Sequence, residues 1–323
     1  MDLPTPLRAA IEAEIAGTPL ADLRRAGEVL SGRYRAETRD GRMHLSDDLF
    51  AKAYAAARLP ATYAALRASL ASLAEGRPNF APATLLDVGA GPGTALWAAV
   101  DAFPALSGAT LLEASAPFRG LGQRLGAGAF AFAPDWRAGD LAADLAAVPG
   151  ADLVTLSYVL DEIAPAAIAP LADMLWSKTG GVLLVVEPGT PAGWARILAV
   201  RDRLIAAGAQ VVAPCPHAQA CPIIAPDWCH FAQRLPRSRL HLRAKEAEVP
   251  YEDEKFAYVA LARDAPAAPS HQRVLAPPRA GSGKVRLKLC RPDGTIADTL
   301  VTKRDGDRFR EARRADWGDR LEP

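Results

Sequence analysis

Apolar residues recur near a 3.6-residue period over residues 7–16, 20–30, 47–57 and 61–73, which predicts four helices. Thr18 and Ser46 are expected N-caps, and Pro60 suits a helix start because its missing N–H has no role there. Residues 1–77 therefore read as a helical cap. From 82 to 265 the pattern changes to short apolar runs at 84–88, 110–113, 153–157, 182–187 and 256–262, with helical stretches between them that include 165–176 and 193–207. Such alternation predicts a mostly parallel sheet covered on both faces. Beyond Ala265-Pro266-Ala267-Ala268-Pro269, which reads as a linker, residues 266–323 form a third segment. Lys284–Cys290 alternates, Pro292-Asp293-Gly294 turns, and a second run follows over 295–303. A small antiparallel β appendage with a basic tail is expected.

The first strand of the middle segment carries candidate chemistry. Leu85-Leu86-Asp87 runs into Val88-Gly89-Ala90-Gly91-Pro92-Gly93 and then into helix-forming sequence. Strand, glycine loop and helix in that order place a nucleotide at the carboxyl end of a strand. Dinucleotide folds favour G-x-G-x-x-G; here the spacing is G-x-G-x-G, with a carboxylate two residues before the first glycine. A cationic sulfonium and an ammonium suit such a carboxylate, and the segment resembles motif I of the class I S-adenosylmethionine (SAM)-dependent methyltransferases. The fold class implied is α/β and Rossmann-like. Glu113, ending the second strand, is expected at the ribose hydroxyls. Asp140 is expected near the adenine, at the end of a third strand. Ser157 ends the fourth strand, in the loop that faces the methyl group in this fold. Asp161 in that loop is a weak candidate for orienting or deprotonating an acceptor; the alternative is a helix cap. The Asn-Pro-Pro-aromatic loop of many amine methyltransferases is replaced by Ser157-Tyr158-Val159-Leu160, and no cysteine lies nearby for covalent chemistry.

Charge adds a further distinction. Residues 1–229 hold 18 basic and 23 acidic side chains, and residues 230–323 hold 20 and 14. A cationic final third on an acidic body points to an anionic partner. No basic n-region followed by an apolar core opens the chain, and no apolar run is long enough to span a bilayer. A cytoplasmic protein without membrane partners is expected, of unassigned oligomeric state.

The four cysteines are Cys215, Cys221, Cys229 and Cys290. Prolines flank Cys215 and Cys221, giving a stiff irregular loop that suits ligands better than a buried strand. The spacings miss the short knuckles of structural zinc. An iron–sulfur cluster on four thiolates, zinc in a mixed site with His217 or His230, and unliganded thiols all remain open from spacing.

Taken together, residues 54–63, 87–99, 156–162, 187–190, 214–222, 228–234 and 283–290 give the chain a resemblance to a known family. It is similar to the methyltransferase-like proteins of the mitochondrial small ribosomal subunit and their bacterial relatives, over most of its length. The resemblance implies a class I methyltransferase fold and association with small-subunit ribosomal RNA in 30S assembly intermediates. It also implies a 4Fe-4S cluster on Cys215, Cys221, Cys229 and Cys290, with zinc as the alternative. It leaves turnover open: an active rRNA methyltransferase, or a zinc-containing methyltransferase of a small molecule or protein, are the other readings. On a strand, Lys284, Arg286 and Lys288 share one side, and Cys290 has the same parity. A cluster would clip this basic strand to the 214–240 insertion. Arg234, Arg237, Arg239 and Arg243 would then join Lys303, Arg304, Arg308, Arg310, Arg313 and Arg314 in one phosphate-binding surface.

Overall fold

The computed structural model describes residues 2–36, 47–245, 248–264 and 271–322. Four helices come first: α1 (Thr5–Ile15), α2 (Leu20–Ala36), α3 (Asp48–Ala57) and α4 (Leu59–Gly76). The carbonyl of Pro19 accepts the first N–H groups of α2, so Thr18 stands one residue too early to cap it. Asp47 caps α3, accepting the Phe50 N–H at 2.9 Å; Ser46 lies outside the described residues. Helix α4 buries Leu59, Tyr63, Leu66, Leu70 and Leu73 almost completely, because it packs on the sheet with the other cap helices above it.

Strands and helices then alternate: β1 (Thr84–Val88), α5 (Thr94–Ala102), β2 (Gly108–Glu113), α6 (Ala116–Leu125), β3 (Asp135–Ala138), α7 (Leu141–Asp144), β4 (Ala151–Ser157), α8 (Pro165–Lys178), β5 (Thr179–Pro188), α9 (Pro191–Ala206) and β6 (Gln210–Ala213). After the cysteine loop come β7 (Phe231–Pro236), α10 (Arg239–Lys245) and β8 (Tyr251–Ala262). The sheet order is β3-β2-β1-β4-β5-β8-β6, with β7 paired to the amino-terminal half of β8. The pairs from β3 to β5 are parallel. Strand β8 runs antiparallel to β5 and β6. A parallel sheet that reverses direction at β1 and ends in an inserted antiparallel strand is the class I SAM-dependent methyltransferase fold. One face is covered by α1, α3, α4, α5 and α6, and the other by α8 and α9.

Strands β3, β6 and β7 escape the hydrophobic pattern. Strand β3 reads Asp-Trp-Arg-Ala and exists because β2 offers it a free edge, a non-local cause that composition does not record.

The carboxy-terminal unit holds β9 (Gln272–Val274), β10 (Arg279–Gly281), β11 (Lys284–Cys290), β12 (Ile296–Thr302), α11 (Asp307–Arg314) and β13 (Arg320–Leu321). The expected linker falls on residues outside the described ones, Ala265 to Pro269. Val285, Leu287 and Leu289 of β11 meet Val301, Phe309 and Ala312 in a small separate core. The tail expected to be merely basic is thus a helix, seated on the sheet by Phe309 and Ala312.

Candidate functional site

The loop between β1 and α5 turns three times through positive φ, at Gly89 (67°), Gly91 (54°) and Gly93 (78°). Only glycine adopts that region at little cost. A Cβ on Gly89 would also stand 2.6 Å from a Val159 methyl, so the loop after β4 is packed against this turn. The Gly91 N–H donates to Glu113 Oε2 at 2.7 Å, and the Ser115 N–H to Glu113 Oε1 at 2.7 Å. Glu113 thereby fixes the mouth of the glycine loop. Burial raises its pKa, against those two backbone bonds.

Asp87 is 1% exposed at the end of β1. Thr155 donates to its Oδ1 at 2.7 Å, while Oδ2 is buried without a hydrogen-bond partner among the described residues. Burial pushes its carboxyl up to about 7; the Thr155 bond opposes this, and the Glu113 charge adds to it. A buried carboxylate oxygen with nothing to accept fits a cationic ligand over the glycine cradle.

Asp140 is exposed, two residues beyond β3, and accepts the Ala143 N–H at 3.4 Å at the start of α7. Ser157 closes β4 and is half-buried. Asp161 lies 5% exposed beneath the next loop, where its charge bears on Glu187. Glu187 is fully buried, with Arg196 Nε donating to it at 2.7 Å and the Leu160 N–H at 3.0 Å. Its carboxyl is pushed up to about 7, by burial first, with Arg196 opposing. The structure thus sets Asp161 in a buried charge network that holds the loop.

One polar group near this mouth is absent from the pattern reading. Tyr158 is the one non-glycine residue with positive φ (58°) among the described residues. Its hydroxyl donates to Glu254 Oε1 at 3.0 Å, and Arg58 Nη2 donates to the same oxygen at 3.2 Å. The three come from the loop after β4, from β8 and from the α3–α4 junction, so only the fold joins them. A bulky residue held in a left-handed backbone is a usual mark of a functional region.

The four cysteines converge. Cys215, Cys221, Cys229 and Cys290 line one cavity between α9, the loop before β7 and the end of β11. Burial raises the pKa of Cys221, Cys229 and Cys290, the last to about 12, and neighbouring thiol charges add to each. A metal ion among them would favour the thiolate form of these three. His217 joins the lining, its Nε2 3.4 Å from Cys290 Sγ. His230 does not; it stacks on Trp228 and meets the edge of Trp317. No three His, Cys, Asp or Glu side chains among the described residues are placed to hold a single metal ion. A tetrahedral zinc, with Zn–S near 2.3 Å, draws its sulfurs to within about 3.8 Å of one another. Four thiols lining one cavity suit the all-thiolate ligation of an iron–sulfur cube in their donor chemistry.

Strand β11 alternates as expected, with Lys284 and Arg286 exposed and Val285, Leu287 and Leu289 buried. Cys290 follows the parity of the basic row and turns into the cavity. An ion pair from Lys288 Nζ to Asp227 ties the strand to the cysteine loop. The single phosphate-binding surface expected from the sequence is divided. Arg279 lies opposite Arg286 in the sheet, on the side away from α11. Arg304, Arg308, Arg313 and Arg314 are exposed on the side of α11. Arg234 is forked onto Asp253 at 2.7 Å, and Arg237 lies 3.4 Å from Glu252.

Comparison with known proteins follows from this geometry. Residues 48–322 match the protein family described as mitochondrial small ribosomal subunit Rsm22. The human ribosome assembly protein METTL17, mitochondrial, is 31% identical over 286 residues, covering 83% of this chain and 61% of that protein. The chain therefore spans about three-fifths of that relative's length. Rsm22-cox11 tandem protein 2, mitochondrial, of Schizosaccharomyces pombe is 26% identical over 191 residues, 45% of this chain and 25% of its own. Among solved structures, magnesium protoporphyrin IX methyltransferase of Synechocystis PCC 6803 with bound SAH is 13% identical, covering 72% of this chain and 94% of that chain, with a TM-score of 0.43. An O-methyltransferase family protein of Burkholderia thailandensis is 15% identical, covering 77% and 72%, with a TM-score of 0.45. These comparisons correct the cytoplasmic expectation, since the family and the relatives are mitochondrial by name. The expectation rested on a missing export signal and on the want of an apolar span, and neither separates cytosol from mitochondrion. No helix among the described residues is long and apolar enough to cross a membrane.

Proposed function

Because this chain belongs to the Rsm22 family of the mitochondrial small ribosomal subunit, we propose that it is a SAM-binding, RNA-docking factor in small ribosomal subunit assembly. The observation that carries this reading is the convergence of Cys215, Cys221 and Cys229 with Cys290 of the basic unit on one cavity. A 4Fe-4S centre there, held by the four thiolates, would clip the cationic unit to the SAM-binding body. When bound, such a centre supplies four thiolate cross-links and a one-electron couple.

This chain's own residues do the rest. Asp87 offers a buried negative charge to the cationic ligand, and Glu113, which holds the glycine loop open, would accept from its ribose hydroxyls. Asp140 would stand toward the adenine and Ser157 toward the methyl group. Lys284, Arg286 and Arg279 present charge to phosphates, and shape and backbone recognition suffices for folded RNA. The loop that would meet a methyl acceptor holds Tyr158, whose hydroxyl is engaged by Glu254.

The test is anaerobic purification with iron and sulfide analysis, then small-subunit rRNA binding by wild type and Cys290→Ser. Brown protein with iron and sulfide, and a variant weakened in both RNA affinity and stability, support the reading. Colourless wild type, or a variant with full rRNA affinity and stability, removes the coupling. Mass spectrometry of rRNA with and without the gene reports any methylation.

A further inference from the structure

Two arginines converge on the four-thiol cavity, and an exposed Asp202 is the one carboxylate paired with either of them among the described residues. Arg201 of α9 and Arg273 of β9 are each 1% exposed, and both line the cavity with the cysteines. Arg201 Nη2 donates to the carbonyls of His217 at 3.1 Å and Gln219 at 2.7 Å. Arg273 Nε donates to the Pro214 carbonyl at 2.8 Å, and its Nη1 to the Gly318 carbonyl at 2.6 Å. These bonds lock both guanidinium groups onto the loop that carries Cys215 and Cys221, and onto the turn before β13.

Arg201 Nε and Arg273 Nη2 are left buried without a hydrogen-bond partner among the described residues. Counter-charge is scarce. Asp202 pairs with Arg201 from a 59% exposed position, where water screens it. Arg273 makes no ion pair among the described residues. Cys215 acts on Arg201 through both its field and a side-chain hydrogen bond, and the field of Arg273 falls on Cys229 and Cys290. A guanidinium cannot shed its proton, and a buried cation is costly without an anion beside it. Neutral thiols do not supply that anion. Four thiolates around an iron–sulfur cube or a zinc ion do, since either centre is a net dianion.

We propose that Arg201 and Arg273 are positioning residues for an anionic, thiolate-held metal centre. They balance its charge, aim N–H groups at its sulfurs, and so set how tightly the metal is kept and how readily the centre is reduced. This rests on the reading of a four-cysteine centre given above. Net charge and hydrogen bonds to sulfur are the protein's means of tuning such a centre. A cation beside it favours the reduced, more negative state, so loss of a cation moves the potential downward.

The experiment uses the full chain, purified without oxygen, as wild type, Arg201→Gln, Arg273→Gln and Arg273→Lys. Metal and sulfide per chain, the midpoint potential under dithionite titration, and the rate of bleaching in air are measured. For protein that holds zinc, the rate of zinc loss to a chelator replaces the last two. Each glutamine variant is expected to lower the potential and to bleach, or lose zinc, several-fold faster than wild type. Arg273→Lys is expected to recover most of both. Wild type without any metal overturns the four-cysteine reading itself. A loaded wild type whose glutamine variants match it in potential and release rate overturns the arginine assignment alone. So does Arg273→Lys behaving like Arg273→Gln, which would mark a role in shape and not in charge. Circular dichroism confirms that each variant is folded.

Discussion

With SAM seated over the glycine loop as proposed, Asp87 should make its affinity depend on pH. Its carboxyl is pushed up to about 7 in the ligand-free protein, chiefly by burial. A cationic ligand binds the ionised form, so each ligand bound at lower pH must first expel a proton. The affinity penalty is one plus the ratio of protonated to ionised carboxyl. Near pH 8 that is negligible, and near pH 6 it is about tenfold, or roughly 1.4 kcal/mol. Titration calorimetry at pH 6, 7 and 8 in buffers of different ionisation enthalpy reads both the affinity and the proton released. The ligand's own amine also titrates near pH 8, so Asp87→Asn is the control. The variant should bind more weakly at pH 8 and lack the Asp87 contribution to the slope. The linkage also has a sign for stability. A carboxyl raised in the folded state favours folding most below its unfolded pKa, and that contribution is lost as pH rises through about 7. Ligand-free wild type should therefore gain stability relative to Asp87→Asn as pH falls from 8 to 5. Identical pH slopes for SAM binding in wild type and Asp87→Asn would refute the reasoning.

Other perturbations follow from the same geometry. Gly89→Ala places a Cβ 2.6 Å from Val159 on a residue of positive φ; it should cost about 1–3 kcal/mol in urea unfolding and abolish the calorimetric signal for SAM. Arg196→Met strands the fully buried Glu187, which should cost about 3–5 kcal/mol at pH 8. The loss should be smaller at pH 6, because the raised Glu187 pKa lets the carboxyl neutralise; equal losses at both values would count against a buried carboxylate there. Arg286→Ala on the exposed row of β11 should weaken RNA binding evenly across sequences and lower the salt slope by about 1, read by filter binding at several salt concentrations. An unchanged slope would place the phosphates elsewhere, with the α11 side as the next surface to vary.

How far the sequence alone carried the reading depends on how local each cause is. Strand β1 lies where the apolar run and the glycines put it, and β11 where the alternation put it, because both signals sit inside the segment. Strand β8 is longer than its apolar half: Tyr251 to Lys255 is polar and becomes strand only by pairing with β7. The glycine loop and Glu113 were legible because a βαβ unit fixes their spacing. Glu254, Arg58 and Tyr158 were not, since their meeting needs the sheet order and the cap helix together. Nothing in the sequence singles out Arg201 or Arg273, since a lone arginine in a helix or strand carries no sign of burial. The idea of one basic surface failed on partners: Asp253 and Glu252 engage Arg234 and Arg237, and those carboxylates lie on a strand that pairs with β7 only in three dimensions.

Cys290 comes from β11 while its three companions lie on the loop between β6 and β7, so it is the last of the four to leave the ribosome during the protein's own synthesis. Three sulfurs lie on the loop before β7, and the fourth is carried by β11, which pairs with β12. A centre held by all four would therefore close only after β11 has docked, so its presence would report that the two sheets have come together.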